Sequence, residues 1–271
     1  MKVGYLGPKG TFSYEICNNI YSDEYEKIPF WTIVDLIKAL ESYVIDEAIV
    51  PIENSLQGCV TEAIDTIIKS NNISIYAEEI LKINQNLMAK NKYDLNEIKQ
   101  VYSHPQALAQ CRGYLQNNLK QAELIEVSST ALSAKEVSQK ENVACICNMS
   151  CREEYNLEII EKNIQDNNSN ETKFWRLLNY NKEVIDANKM TLIFSTEDKP
   201  GALFKVLRIF EENNLNLTKI ESRPTKKQLG QYYFWIDVDL SNNVYEKVIK
   251  ELQDEVIEFK LLGKYKSNIG G

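Results

Sequence analysis

Histidine occurs once in this chain of 271 residues, at His104. The six cysteines therefore have almost nothing to share a metal with. Their tightest group, Cys145, Cys147 and Cys151, is spaced C-x-C-x3-C, a poor fit to zinc ligand spacing. Val143-Ala144-Cys145-Ile146-Cys147 reads instead as a buried strand, with cysteine serving as a small hydrophobe. Positive charge is also scarce. Against 39 Asp and Glu there are 31 Lys and Arg, a net charge of −8 and a pI near 5.0. Such a chain repels phosphate backbones and anionic membranes, so no nucleic acid and no membrane is expected as partner. No run of about 18 apolar residues exists to span a bilayer. The opening six residues are broken at once by Gly7-Pro8, too soon for a signal peptide. Reduced thiols without secretory features point to the cytoplasm. No G-x-G-x-x-G dinucleotide fingerprint, repeat or low-complexity tract is found.

What is present is ordinary globular composition, 44% hydrophobic and 26% charged, in a chain too long for one comfortable core. The first 180 residues alternate strand and helix, which predicts α/β architecture with mostly parallel sheets. Strands are expected at 2–6, 47–52, 73–77, 81–89, 100–103, 122–127, 143–147 and 172–180. Helices are expected at 11–20, 33–42, 60–69, 105–119, from a Ser129-Thr130 cap to about 139, and after Cys147 through Tyr155. Composition shifts at 181–189, read as a linker. Beyond it the order is strand 190–196, helix 202–212, strands 215–221 and 231–240, helix 244–256 and strand 259–265. That βαββαβ order is the ferredoxin-like motif.

Several short stretches carry chemistry. Gly7-Pro8-Lys9-Gly10-Thr11-Phe12-Ser13 turns into a helix whose first N–H groups suit a carboxylate, or it is a plain structural turn. Val50-Pro51-Ile52-Glu53-Asn54-Ser55-Leu56-Gln57-Gly58 joins the C-terminal end of a strand to a helix, the edge at which open α/β sheets bind ligands. There Glu53, Asn54 and Ser55 line a site, or Asn54 and Ser55 only cap the helix, a role that does not require the preceding glutamate. His104 opens a helix as N-cap or as a catalytic acid, and Ser128-Ser129-Thr130 face a similar choice. Thr172-Lys173-Phe174 places a hydroxyl, a cation and a ring together at a strand start, fit for a small anionic ring or for an amphipathic strand. In the C-terminal part, Pro200-Gly201-Ala202-Leu203-Phe204 and Glu221-Ser222-Arg223-Pro224 allow close approach of a ligand or a second subunit.

Taken together, these stretches resemble the prephenate dehydratases over nearly the whole chain. The resemblance is carried by Gly7–Ser13, Pro51-Ile52-Glu53-Asn54-Ser55, His104-Pro105-Gln106-Ala107-Leu108-Ala109-Gln110-Cys111, Ser129-Thr130-Ala131 and Thr172-Lys173-Phe174. The C-terminal part resembles a phenylalanine-sensing ACT domain, through Gly201-Ala202-Leu203-Phe204 and Leu217-Thr218-Lys219-Ile220-Glu221-Ser222-Arg223-Pro224. One departure stands out: the family usually has arginine where this chain has Lys173. Arginine holds a carboxylate through two parallel N–H bonds, whereas lysine offers a point charge.

The resemblance implies a two-lobed, type II periplasmic-binding-protein-like catalytic domain over 1–182. One lobe would be about 1–76 with 160–182, the other about 77–159. A linker at 183–189 would lead to an ACT domain at 190–267. The implied reaction expels CO2 and water from prephenate and needs no metal or organic cofactor. Thr172 would donate to the leaving hydroxyl, with a water or Glu53 completing the proton relay. Thr11, Phe12, Ser13, Glu53, Asn54, Ser55, Ser129, Lys173 and Phe174 would bind substrate. Phenylalanine, the allosteric effector, would sit between Gly201, Ala202 and Leu203 of one subunit and Asn216, Glu221, Ser222, Arg223 and Pro224 of another. The assembly would be a homo-oligomer, a dimer of dimers, with no fused chorismate mutase. Two alternatives remain: an arogenate dehydratase, or a non-catalytic amino-acid sensor disabled at Lys173.

Overall fold

A computed structural model describes residues 1–182, 184–225, 231–240 and 245–267. Residue 183 of the expected linker and residue 244 at the start of the expected last helix lie outside the described residues. The chain opens with β1 (Lys2–Leu6), α1 (Phe12–Ile20), β2 (Glu26–Phe30), α2 (Ile33–Glu41), β3 (Glu47–Asn54), β4 (Gly58–Cys59), α3 (Thr61–Lys69) and β5 (Ser74–Lys82). It continues through β6 (Asn86–Ala89), β7 (Gln100–Ser103), α4 (Pro105–Gln110), α5 (Arg112–Asn118), β8 (Glu123–Glu126), α6 (Thr130–Val137), β9 (Val143–Cys147), α7 (Ser150–Tyr155), β10 (Glu158–Glu161) and β11 (Glu171–Leu178). The C-terminal elements are β12 (Lys189–Ser195), α8 (Ala202–Glu212), β13 (Leu217–Pro224), β14 (Tyr232–Asp239), α9 (Tyr245–Glu255) and β15 (Glu258–Tyr265).

The α/β expectation holds, with two separate sheets. The first has the order β2-β1-β3-β11-β5, with β4 folded back on β3; the second has the order β10-β6-β9-β7-β8. β1 runs parallel to β2 and β3, and β7 parallel to β8 and β9, but β6 is antiparallel to both β9 and β10, and β4 to β3, so the sheets are mixed rather than mostly parallel. Their central strands are apolar without alternation because helices cover both faces. All five residues of β9 are buried, its two cysteines included. Helix ends follow local chemistry. Thr11, Thr32, His104 and Ser129 each accept a backbone N–H of the first turn of α1, α2, α4 and α6, which satisfies one otherwise orphaned donor.

Four local expectations need correction. β2 escapes the sequence reading because it is charged and contains Pro29, a residue tolerated only at a sheet edge, and β2 is that edge. β10, reading Glu-Ile-Ile-Glu, escapes as a short edge strand of the second sheet. The single helix expected at 105–119 breaks at Cys111, whose ψ of 17° leaves the helical range. Asn54 and Ser55 do not cap a helix. Asn54 ends β3 and pairs with Gly58 of β4 in a tight hairpin, with Gly58 at φ +76°, a conformation that glycine adopts without steric cost.

The described chain divides into two compact units, Met1–Ala63 with Ile80–Phe174, and Ile64–Glu79 with Trp175–Gly271. The dividing points fall inside α3, β5 and β11 rather than at the expected linker. Within the second unit lies the predicted βαββαβ sheet, in the order β13-β14-β12-β15. One face packs Met190, Leu192, Phe194, Ile236 and Val238 against Val206 and Phe210 of α8 and Val248 and Leu252 of α9. The other face is met strand by strand by the segments 64–79 and 175–178. Arg223 of β13 pairs with Asp65 at 2.9 Å. Trp235 of β14 meets Trp175 edge-on at 5.3 Å. Lys189 of β12 pairs with Glu78 at 3.0 Å. Lys260 of β15 donates to the carbonyl of Ile67 at 2.7 Å and to that of Ile68 at 3.2 Å. No described helix is long and apolar enough to cross a membrane.

Candidate active site

In the first unit the loop after β1, the β3–β4 hairpin, the β7–α4 junction, the start of α6 and the start of β11 surround a cavity of about 320 Å³. That volume suits a small metabolite. Three of these elements contribute helix N-termini: Thr11, Phe12 and Ser13 from α1, His104, Gln106 and Ala107 from α4, and Ser128, Ser129 and Thr130 from α6. Among the described residues that line it, none is Lys or Arg. Thr11 spends its hydroxyl on the fold, donating to the Leu6 carbonyl at 2.9 Å and accepting from Tyr14 N–H at 3.2 Å. With the third N–H capped in this way, those of Phe12 and Ser13 have no intrahelical acceptor. Ser129 caps α6 likewise through Leu132 N–H at 3.0 Å, and leaves Thr130 and Ala131 N–H free of intrahelical partners. Helix dipoles and unused donors of this kind favour an anion.

Thr172 and Phe174, two apart on β11, both line the cavity, as strand alternation requires. Asn54 Nδ2 donates to Thr172 Oγ1 at 3.0 Å, to Asn170 Oδ1 at 2.7 Å and to the Glu171 carbonyl at 3.1 Å. Its Oδ1 accepts the N–H groups of Leu56 and Gln57, both at 3.1 Å. Those two backbone donors fix which end of the amide faces Thr172. The threonine oxygen is therefore an acceptor toward Asn54, which leaves its own proton available to another partner on a residue that lines the cavity.

Glu53, Ser55 and Lys173 are not among the residues that line the cavity. Ser55 bonds with Glu171 in both directions, Ser55 N–H to the Glu171 carbonyl at 2.9 Å and Glu171 N–H to Ser55 Oγ at 3.0 Å. Lys173 Nζ lies 3.3 Å from Glu53 Oε2. The sequence reading missed the carboxamides Gln85, Gln106 and Gln110, which line the cavity. Gln85 donates to Gln110 Oε1 at 3.1 Å and accepts no bond at its buried Oε1 among the described residues. Gln106 and Gln110 stand one helical turn apart on α4, a spacing visible in the sequence. A neighbouring cavity of about 450 Å³ shares both of them.

Cys145, Cys147 and Cys151 are free thiols and all buried. Hydrogen bonding to Cys145 and burial hold the Cys147 thiol well above its ordinary range, and contact with Cys147 and burial do the same for Cys151. Cys151 Sγ instead contacts the Gly10 carbonyl at 3.1 Å.

In the C-terminal sheet, Gly201 precedes α8 at φ +82°, with open space where a Cβ would point. Ala202 is buried, while Ser222 and Pro224 lie on the exposed side of β13. Glu221 and Arg223 lie on the opposite side, paired with Lys219 at 3.3 Å and with Asp65. Asn216 accepts Asp239 N–H at 2.9 Å through its carbonyl.

Comparison with known proteins fits this arrangement. Residues 3–182 match the family model described as prephenate dehydratase, and residues 190–256 that of the ACT domain. The chain belongs to the prephenate dehydratase family. It is 39% identical to a prephenate dehydratase of Lactococcus lactis, over 98% of this chain and 97% of that protein. It is 37% identical to one from Methanocaldococcus jannaschii, over 96% of each. A crystal structure of the Arthrobacter aurescens prephenate dehydratase in complex with L-Phe superimposes with a TM-score of 0.88, at 30% identity, covering 98% of this chain and 90% of that one. The two-sheet fold with a C-terminal ACT domain is thus the fold of the family.

Proposed function

We propose that this chain is a prephenate dehydratase that converts prephenate to phenylpyruvate, CO2 and water in phenylalanine biosynthesis, and that phenylalanine regulates it through the ACT domain. The observation that carries the reading is the Thr172 hydroxyl, which accepts from Asn54 and lines a cavity ringed by helix N-termini. Full-length likeness to proteins of that name supports it.

Prephenate is a dianion with a ring hydroxyl as leaving group. Its ring carboxylate departs as CO2, the released pair becomes a ring double bond, and the C–O bond breaks as the hydroxyl leaves with a proton as water. Aromatisation supplies the driving force, so the protein has to orient the dianion and ease departure of the hydroxyl. In this reading the N–H groups of Phe12 and Ser13 meet one carboxylate and those of Thr130 and Ala131 the other. Phe174 flanks the ring. Thr172 donates to the leaving oxygen. Its hydroxyl is too weak an acid to surrender the proton, and neutral water is no stronger, so the oxygen leaves hydrogen-bonded to Thr172 and takes up one proton from solvent acid (hydronium or buffer) to depart as water; Glu53 lies outside the lining and is engaged with Lys173.

The catalytic part of the chain corresponds in this proposal to about 1–182, in lobes of about 1–76 with 160–182 and about 77–159. A linker at 183–189 and the regulatory domain at 190–267 follow; family matches at 3–182 and 190–256 support that division. The working form is a cytoplasmic dimer of dimers, with phenylalanine held between Gly201–Leu203 of one subunit and the Asn216–Pro224 strand of another. β13 is an edge strand with Thr218, Ile220, Ser222 and Pro224 exposed, a row that a second copy can cover.

The test is to mix purified protein with prephenate or arogenate and follow product by absorbance, with and without phenylalanine. Turnover of prephenate that phenylalanine suppresses is the expected result. Preferred turnover of arogenate would reassign the substrate. Tight phenylalanine binding with neither substrate consumed would make the chain a sensor and overturn the proposal.

A further inference from the structure

Three successive residues of β3 and its hairpin grip three successive residues of β11, in reverse order. Ser55 holds Glu171 through two backbone-directed bonds, Asn54 holds Thr172 at Oγ1, and Glu53 holds Lys173. Asn54 and Thr172 face the cavity. Lys173 and Glu53 do not line it, because neighbouring strand residues project to opposite faces. Their side chains are largely buried, 14% exposed for Lys173 and 30% for Glu53, so solvent screens the pair less than a surface pair.

We infer that Lys173 is a positioning residue: its ion pair with Glu53 clamps β11 to β3 from behind, and thereby sets the depth of Thr172 in the cavity, instead of holding a substrate carboxylate. The inference rests on Thr172 as donor to the leaving hydroxyl. It fits the pair itself, in which the Lys173 ammonium reaches Glu53 Oε2 at 3.3 Å as a point charge. It also agrees with a cavity whose described lining holds no Lys or Arg and whose anion donors are backbone N–H groups. A clamp behind the reacting residue acts on orientation. A displacement of well under 1 Å at Thr172 is enough to lower turnover, since about 1 Å costs on the order of 100-fold.

The experiment compares Lys173→Met, Lys173→Arg, Glu53→Gln and the Lys173→Met/Glu53→Gln double variant with the native chain in steady-state kinetics on prephenate. Hydrogen exchange of the β11 amides is measured in parallel. A clamp predicts that Lys173→Met and Glu53→Gln each lower kcat by about 10-fold or more with KM within about twofold. The double variant should be no worse than either single one. Lys173→Arg should restore kcat, and β11 exchange should quicken only where kcat falls. A carboxylate-binding Lys173 predicts the opposite split, KM raised about 10-fold or more by Lys173→Met and untouched by Glu53→Gln, and that result overturns the inference. If the native chain turns over neither prephenate nor arogenate, the functional reading fails instead. The clamp then stands or falls on exchange alone, unchanged β11 protection in both Lys173→Met and Glu53→Gln overturning it.

Discussion

Asn54 donates to Thr172 Oγ1 across 3.0 Å while two backbone N–H groups of its own hairpin hold its Oδ1. The hairpin therefore keeps the threonine proton from pointing at Asn54. A hydroxyl that accepts there is free to donate elsewhere, and Thr172 lines the cavity. Thr172→Ala removes the donor. Turnover should fall by about 100-fold or more, the scale of one lost transition-state hydrogen bond. Near-normal kcat in that variant would sink the assignment.

Asn54→Asp tests the orientation rather than the presence of the hydroxyl. The substitution keeps the size and the acceptor toward Leu56 and Gln57, but replaces the donor with a second oxygen. Thr172 would then turn its proton back toward that carboxylate and present lone pairs to the substrate. The expected loss in kcat is again on the order of 100-fold, and thermal stability should fall as well, because the buried carboxylate would face Asn170 Oδ1 and the Glu171 carbonyl with no proton to give them. Thr172→Ala added to Asn54→Asp should cost little more, because both act on one proton.

Much of this was legible in the sequence, and the misses have physical causes. α1, α2, α6 and α8 begin where their capping residues or turns predict, since caps and apolar periodicity are local signals. β2 and β10 are edge strands whose charged residues answer to solvent and carry no core pattern. The hairpin at Asn54 was hidden because its two-residue partner strand, β4, is too short to show any periodicity. At the cavity, Thr11, Phe12, Ser13, Asn54, Ser129, Thr172 and Phe174 were nameable from motifs and line it. Gln106 and Gln110 stand within the His104–Cys111 stretch but were not singled out, and Gln85 lies in no motif, since neutral carboxamides show no charge pattern. The facing of Lys173 was available in principle: once Thr172 and Phe174 share a side, strand alternation sends Lys173 to the other.

Regulation has its own test at Gly201. Its φ of +82° is a left-handed backbone that costs a β-branched side chain about 1–2 kcal/mol, although the space beside it is open. Gly201→Val should distort the turn into α8 and fill the proposed effector pocket. The ratio of turnover without to turnover with phenylalanine should fall to near one. Isothermal titration should show phenylalanine binding lost in step, and a retained ratio would move the effector site elsewhere.

Lys189 holds together the buried polar network behind the C-terminal sheet. Its ammonium lies 3.0 Å from Glu78 Oε1 and 3.6 Å from Asp237 Oδ2. Thr191 bridges Asp237 and Tyr265 at 2.7 Å each. Burial first, and then the nearby carboxylates, push the Tyr265 phenol well above its ordinary range. Removing the cation strands two carboxylates in the interior, a change that costs about 3–5 kcal/mol. Lys189→Met should therefore lower the urea midpoint markedly, whereas surface Lys205→Met, whose pair with Glu255 is exposed, should shift it by less than about 1 kcal/mol. Equal, small shifts in both variants would mean that the network contributes little.

Glu15, in the first turn of α1, gives stability an unusual dependence on pH. Burial raises its carboxyl from an ordinary 4.5 to about 7, and its buried Oε2 has no hydrogen-bond partner among the described residues. The unfolded chain releases this proton near 4.5, while the folded chain keeps it until about 7. Between those values the folded state binds more protons, so stability from this group falls as pH rises. Below 4.5 both states are protonated and there is no penalty; above about 7 the penalty is complete. At about 1.4 kcal/mol per pH unit it reaches at most about 3.5 kcal/mol, less where water reaches the half-buried residue. Glu15→Gln carries no charge to bury. Urea midpoints taken near pH 5 and pH 8 should differ less in the variant than in the native chain, with the variant the more stable of the two at pH 8. An unchanged pH slope in Glu15→Gln would show that this carboxyl is ionised in the folded chain throughout, reached by solvent or matched by a cation.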